Sequence, residues 1–381
     1  MFKKYQLKSY NFRLLVLLII TALYGILVIN SANPLYTFRQ CFGFVLSLTV
    51  MIFVSFIDYN FILRYYWVWY FCDILLLILV KVVGKSSHGA KRWLPVFGIQ
   101  FQPSELSKII LIIVAAKLIS MYKDKINDWR FLLILAVILG VPLVLTASQP
   151  DLSTTILTFL ILFAVVFCAG LSYKIIGLAV LIVVPLMIGS LFYIGNENNS
   201  VFFLKDYQRD RIVSFLHPDE NDAGVYQQEY AVKAIGSGQL SGKGLDNDDP
   251  TSMKNANYIA EAHTDFIFAV IGEELGFVGC VAVVVLLALI VMECIIAAVS
   301  AKNMAGKLIC CGVAAYIGFQ SFINIGVVTH ILPNTGLPLP FFSYGISSLL
   351  ILFLSMGVVL NISLQRNVIK DDEIFAKDFK G

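Results

Sequence analysis

Apolar residues recur along the chain in ten long windows, near 14–31, 41–57, 65–83, 104–121, 131–146, 153–170, 175–194, 266–299, 306–328 and 344–363. A helix crosses the hydrocarbon of a bilayer with about 20 apolar residues, so each window predicts one membrane helix. The eighth window is too long for a single perpendicular span. It is tilted, or it begins with a helix partly outside the hydrocarbon. Between the seventh and eighth windows lies a polar stretch, 195–264. Within it Tyr226 to Ile235 places Tyr226, Tyr230, Lys233 and Ala234 at the spacing of an amphipathic surface helix, which Gly236-Ser-Gly238 and Gly242-Lys-Gly244 then break.

Composition agrees with the pattern. Of 381 residues 59% are hydrophobic and only 14% charged, and mean hydropathy is +0.82, whereas a soluble domain carries about 25% charged residues. A soluble enzyme, a secreted disulfide scaffold, a disordered regulator and a nucleic-acid-binding domain are excluded. The reading is an all-α polytopic membrane protein of about ten transmembrane helices, forming one integral-membrane domain over 1–381. A net charge of +3 is too small to argue for a polyanionic partner such as nucleic acid. The cysteines form no CxxC and have no His at ligand spacing, so they read as packing residues. No P-loop is present, so any work done here is not powered by nucleotide bound to this chain.

The basic residues orient the spans. Lys3, Lys4, Lys8 and Arg13 precede a first apolar run without a clear cleavage site, which reads as a retained first span. With that end inside, Lys123, Lys125, Arg130, Lys174, Lys302, Lys307, Arg366, Lys370, Lys377 and Lys380 all fall on the inner side. Both termini are then cytoplasmic, 364–381 is a cytoplasmic tail, and 195–264 is a large extracellular loop between helices 7 and 8. Lys85, Lys91 and Arg92 crowd one outer loop against this bias, as a compact basic patch.

Polar residues at membrane depth are costly and mark functional sites. In Phe101-Gln-Pro-Ser-Glu-Leu-Ser-Lys108, Glu105 and Lys108 lie three apart on one helix face and can pair. They form either a buried ion pair or, with Arg92, a cationic floor for an anionic lipid head group. Asp151 in Ser148-Gln-Pro-Asp-Leu152 suits a helix N-cap. Arg209 and Arg211 carry the forked donors that suit phosphate, though a solvated salt-bridge network is an equal reading. Asp265, flanked by His263 and Thr264, stands where a polar loop meets an apolar helix. It is a cap or a general base at the mouth of a bundle. From Asn324 to Ser348 the helix breakers Gly326, Pro333, Gly336, Pro338, Pro340 and Gly345 imply irregular backbone lining a protected cavity.

These segments together resemble the SEDS family of bacterial cell-wall proteins, the family of RodA, FtsW and SpoVE. The carrying residues are Lys91-Arg-Trp, Phe101-Gln-Pro-Ser-Glu-Leu-Ser-Lys108, Gln149-Pro-Asp-Leu152 and Tyr207-Gln-Arg-Asp-Arg211. They continue with Ala234-Ile-Gly-Ser-Gly238, His263-Thr-Asp-Phe-Ile-Phe268, Gly272-Glu-Glu-Leu-Gly276 and Leu337-Pro-Leu-Pro-Phe-Phe-Ser-Tyr-Gly345. The Gln149 to Leu152 form is more similar to the RodA branch. The resemblance implies ten membrane helices in the bacterial cytoplasmic membrane and an outward-facing peptidoglycan glycosyltransferase site. It implies lipid II as substrate, a class B penicillin-binding protein as transpeptidase partner, and surrounding membrane lipids. The family's essential Asp corresponds to Asp265, and its cavity Glu and Lys to Glu105 and Lys108. Ser153, Ile346 and Gln239 stand where the family has Gly, and Asn334 where it has Val.

On this reading Asp265 is the catalytic base for the 4-hydroxyl of the incoming sugar, giving inversion at the anomeric carbon. Arg92, Glu105, Lys108, Arg209, Arg211, His263, Thr264 and Ser343 are the candidate substrate-binding residues. No metal ligands are assigned, and a divalent cation (Mg or Mn) is admitted only beside the diphosphates. Two rival functions remain. A lipid II flippase needs functional polar residues on both sides of the membrane, and a non-enzymatic scaffold for a transpeptidase needs no convergent site.

Overall fold

The computed structural model describes residues 10–87, 90–96, 99–149, 151–195, 209, 213, 223–247, 252–254 and 258–365. Each apolar window is a helix: α1 (Phe12–Ala32), α2 (Thr37–Ser55), α4 (Tyr66–Val83), α5 (Pro103–Met121), α6 (Trp129–Ala147), α7 (Leu152–Cys168), α8 (Tyr173–Gly195), α10 (Ile267–Val299), α11 (Met304–Val328) and α12 (Ile346–Leu364). A one-turn helix α3 (Tyr59–Arg64) joins α2 to α4, and α9 (Ala223–Ser237) is the expected surface helix. Among the described residues α1, α2, α4, α6, α10, α11 and α12 are long and apolar enough to cross a membrane unaided. Helix α5 carries Glu105, Lys108 and Lys117 in its 19 residues, and α7 has only 17.

Polar side chains mark the helix starts. The carboxamide oxygens of Asn11 and Asn303 accept the amides of Leu14 and Gly306, and Asp128 accepts that of Arg130. Pro103 opens α5, where its missing N–H is no loss. Helices α5 and α12 are buried nearly all round, as apolar-faced helices are when they fill the centre of a bundle. Close approach depends on small residues: Gly357 of α12 lies against the backbone of Met51 on α2, where a β-carbon would stand 2.7 Å from its carbonyl oxygen.

Two features depart from the uniform helical expectation. The basic loop after α4 folds as a three-stranded antiparallel meander, β1 (Lys85–Ser87), β2 (Ala90–Val96) and β3 (Ile99–Phe101), with Leu94 opposite Phe101. The fold class stays all-α, and this short sheet is a local addition to the helical bundle. These segments are too short for a helix turn to repay its nucleation, and they satisfy their backbone by pairing. The long eighth window is resolved by a break at Gly276, whose φ of 64° and ψ of −161° are open to glycine but strained for other residues. The break frees the Phe277 and Val278 amides and the Glu273 and Glu274 carbonyls. The loop after α9 takes them up: Phe277 N–H donates to Gln239, Val278 N–H to Leu240, and the carbonyls accept Lys243 and Gly244 N–H.

Candidate active site

The site is built on the irregular backbone between α11 and α12. Carbonyls and amides at membrane depth need partners, and here polar side chains from three helices supply them. Asn324 of α11 donates to Leu337 O at 2.7 Å, and Gln320, one turn earlier, donates to Pro338 O at 2.8 Å. Ser153 of α7 donates to Thr335 O at 2.7 Å. Gln40 of α2 donates to Ser343 O and accepts Gly345 N–H, both at 3.3 Å. The turn at Phe341 and Phe342 sits in a notch of α1 left by Gly25, where a β-carbon would stand 2.8 Å from Phe341 O.

Against this frame lies the segment that carries Asp265. His263 O accepts Tyr344 N–H at 2.9 Å, Thr264 O accepts the Ser343 hydroxyl at 2.6 Å, and Asp265 O accepts the Asn324 amide at 2.7 Å. Three successive carbonyls are thus pinned, and the Asp265 carboxylate is left half-buried beside the exposed Gly336. The cap reading of Asp265 is corrected: the N-cap of α10 is Phe266, one residue later, and it has no side-chain cap bond. The neighbours of Asp265 are positioned by packing, since the His263 ring stacks on Tyr36 with centroids 4.4 Å apart. Burial pushes the His263 imidazole below its ordinary value, with nearby Glu261 opposing.

A second charged group lies deeper. Lys108 is fully buried and donates to Glu105 at 2.7 Å and to Gln320 Oε1 at 3.1 Å, and its ammonium lies 4.4 Å from the Tyr316 ring centre. The Tyr316 hydroxyl donates to the other Glu105 oxygen at 3.0 Å. Tyr316, Gln320 and Asn324 are spaced by four along one stripe of α11. Their side chains run unbroken from the Glu105–Lys108 pair to the backbone of Asp265. At the meander, Arg92 pairs with Asp151 at 3.8 Å. Asp151 also caps α7 through Thr154 N–H and accepts Gln102 at 3.1 Å. The cap reading of Asp151 therefore holds, and Arg92 is tied to it.

The structure thus brings Arg92, Glu105, Lys108, His263, Thr264, Asp265 and Ser343 to one end of the bundle in two linked groups. It corrects the picture of an open cationic floor, because Lys108 is buried and neutralised by Glu105. Ser343 differs from the expectation of substrate contact: its hydroxyl donates to Thr264 O and accepts Leu339 N–H at 2.7 Å, which makes it a pin. Arg209 is half-buried, and Arg211 lies outside the described residues. Among the described residues no group of three or more His, Cys, Asp or Glu side chains could hold a metal ion.

Sequence reasoning passed over Tyr316, Gln320 and Asp73, whose carboxylate accepts the Ser107 hydroxyl at 2.8 Å inside the bundle. The signal for the first two was present, as polar groups recurring every four residues in an otherwise apolar helix. The unusual residues have structural reasons. Gln239 adopts φ of 50°, the left-handed region that favours glycine. Ile346 packs on Gly43 of α2, a β-carbon there meeting it at 3.1 Å.

The loop after α9 is fastened to α10 beside this site. Glu273 accepts Lys243 at 2.7 Å and the Met253 amide at 2.9 Å, and Glu274 accepts Lys254 at 2.6 Å. Ser31 of α1 donates to Glu274 as well.

Comparison with known proteins follows this geometry. The FTSW_RODA_SPOVE family model, described as "Cell cycle protein", matches residues 6–368. Peptidoglycan glycosyltransferase MrdB of Escherichia coli (strain K12) is 36% identical over 303 residues, covering 79% of this chain and 78% of that protein. Probable peptidoglycan glycosyltransferase FtsW of Geobacter sp. (strain M18) is 32% identical over 381 residues, covering 94% and 98%. Among solved structures, a chain of a peptidoglycan synthase complex described as coordinating polymerization and crosslinking superposes with a TM-score of 0.76 at 29% identity, covering 94% of this chain and 99% of that one. The crystal structure of the rod shape determining protein RodA of Thermus thermophilus gives 0.67 at 28% identity, covering 94% and 97%.

Proposed function

The chain belongs to the FtsW/RodA/SpoVE family, and from that premise we propose that it is a peptidoglycan glycosyltransferase that polymerises lipid II into glycan strands. The likeness to a rod-shape-determining protein favours a role in elongation. One observation carries the catalytic reading: three successive pinned carbonyls hold the Asp265 carboxylate at a half-buried mouth, beside an exposed glycine and one residue before the N-cap of α10.

Asp265 takes the proton from the 4-hydroxyl of the acceptor sugar. That oxygen forms the new bond to the anomeric carbon of the donor, and the diphosphate departs with the electron pair of the broken bond. Attack opposite the leaving group inverts the configuration. Arg92, Arg209 and Arg211 supply forked donors for the diphosphates, and no step is routed through a metal ion. The Glu105–Lys108 pair, fully desolvated, sets the field in the cavity and fixes the Gln320–Asn324 stripe on which the Asp265 segment rests. The basic residues of the short loops support a site on the outer face of the cytoplasmic membrane, with 195–264 as an outer loop of a single membrane unit. A class B penicillin-binding protein crosslinks the product, in keeping with the synthase complex to which the chain is similar.

The test is purified protein with labelled lipid II and no other polymerase, read as glycan chain length. Glycan chains are expected. Movement of lipid II across liposomes without glycan would make it a flippase. Stimulation of an added transpeptidase without glycan would make it a scaffold.

A further inference from the structure

At the end of the bundle opposite Asp265, two hollows of about 460 Å³ and 500 Å³ adjoin, sharing Asn303 and Met304 at the α10–α11 connection. The first carries Arg64, Lys117, Asn60 and Ser120, and the second carries Lys302 and Lys307. Among the described residues no carboxylate lines either one. Among the described residues none of these four cations makes an ion pair within 4 Å. The basic residues around the active site behave differently, since Arg92, Lys108, Lys243 and Lys254 all pair with carboxylates. The nearest acid along the chain, Asp58, is already engaged by Asn60 and Gln365. Apolar side chains complete the lining, with Leu63 and Ala305 in the first hollow and Val299 and Leu308 in the second.

Unpaired cations, polar donors and apolar walls at the ends of membrane helices match one class of ligand. We infer that the paired hollows bind the head group of an anionic glycerophospholipid, and that a lipid with two phosphodiesters bridges them. Each hollow offers two cations to one phosphodiester, and the apolar walls receive the glycerol and the first acyl carbons. Basic pockets between helices at a membrane face bind such head groups, each cation adding to the attraction. This inference depends on the membrane bundle and not on the chemistry at Asp265.

The experiment uses the full-length protein in mild detergent, with retained lipid read by native mass spectrometry. The probes are diphosphatidylglycerol, phosphatidylglycerol, phosphatidylcholine and inorganic phosphate. Wild type should retain diphosphatidylglycerol at least about tenfold more than phosphatidylcholine. Arg64→Gln/Lys117→Gln and Lys302→Gln/Lys307→Gln should each lower that retention to the phosphatidylglycerol level, and the fourfold variant should abolish the preference. A control, Lys123→Gln/Lys125→Gln/Arg130→Gln/Lys174→Gln, removes the same charge elsewhere on this face and should keep it. Equal loss in the control would mean a general surface charge and overturn the site. Displacement of the lipid by millimolar inorganic phosphate would make it a small-anion site and overturn the lipid assignment.

Discussion

Gly336 holds its bare α-carbon against the carboxylate of Asp265, so close that a β-carbon there would stand 3.2 Å from Oδ2. Its φ of 65° lies in the left-handed region, which costs other residues about 1–2 kcal/mol. Gly336→Ala should therefore lower stability modestly and displace the carboxylate it touches. The expected result is polymerisation falling further than the small loss in melting temperature explains. Full activity in that variant would show that Asp265 tolerates displacement and is not the base.

Asp265→Asn tests the chemistry directly. The side-chain size is kept and no cap is lost, because Phe266 holds that position. Loss of general-base assistance should reduce glycan formation by about 10²–10⁴-fold, with melting temperature and lipid II binding unchanged. Wild-type glycan from this variant would sink the assignment.

The Glu105–Lys108 pair separates structure from function. Lys108→Ala leaves a buried carboxylate without its partner and should destabilise the protein by about 3–5 kcal/mol. Glu105→Gln/Lys108→Met removes both charges and should restore most of that stability, read as the midpoint of thermal unfolding in detergent. Polymerisation should stay low in the double variant if the charges serve catalysis. Recovery of activity together with stability would make the pair purely structural.

Asn324 is a positioning residue, since one amide group clasps Asp265 O and Leu337 O, each at 2.7 Å. Asn324→Leu strands two carbonyls, each costing about 1–3 kcal/mol. A positioning role predicts a lower kcat with little change in the KM for lipid II. A rise in KM alone would assign Asn324 to substrate contact.

His263 sets a pH dependence. In the unfolded chain its ring titrates near 6.5, and burial moves the folded value lower against the pull of Glu261. The folded state then binds fewer protons in that window, so stability falls as pH drops from 6.5 through the folded value. His263→Phe keeps an aromatic ring against Tyr36 and should flatten this acid limb, measured as melting temperature from about pH 8 to about pH 5. An unchanged slope would assign the acid sensitivity to another group.

The helices were legible because hydrocarbon imposes its own period on a chain: every apolar window, from 14–31 to 344–363, became one helix. The breakers from Gly326 to Gly345 announced irregular backbone in the same way, and the structure fills that need with Ser153, Gln320, Asn324 and Gln40. The meander from Lys85 to Phe101 was not legible, because such short strands carry no long-range pattern. The role of Asp265 turned on a single residue of register, which separates the N-cap position from the residue before it and lies inside the usual uncertainty of a helix end. Tyr316, Gln320 and Asn324 were hidden for another reason. Each is ordinary alone, and only the shared face makes them a connected row.

That row has a mechanical consequence. Tyr316 and Asn324 are about 12 Å apart along the helix axis, so α11 acts as a spindle with a grip at each end. Turning it a fraction of a revolution parts the Tyr316–Glu105 contact, the Gln320–Lys108 contact and both clasps of Asn324 together. A hydrophobic compound wedged between α5 and α11 would twist that spindle from within the bilayer. It would unseat the carboxylate without touching it, which makes the helix seam, as well as the polar mouth, a place for an inhibitor to act.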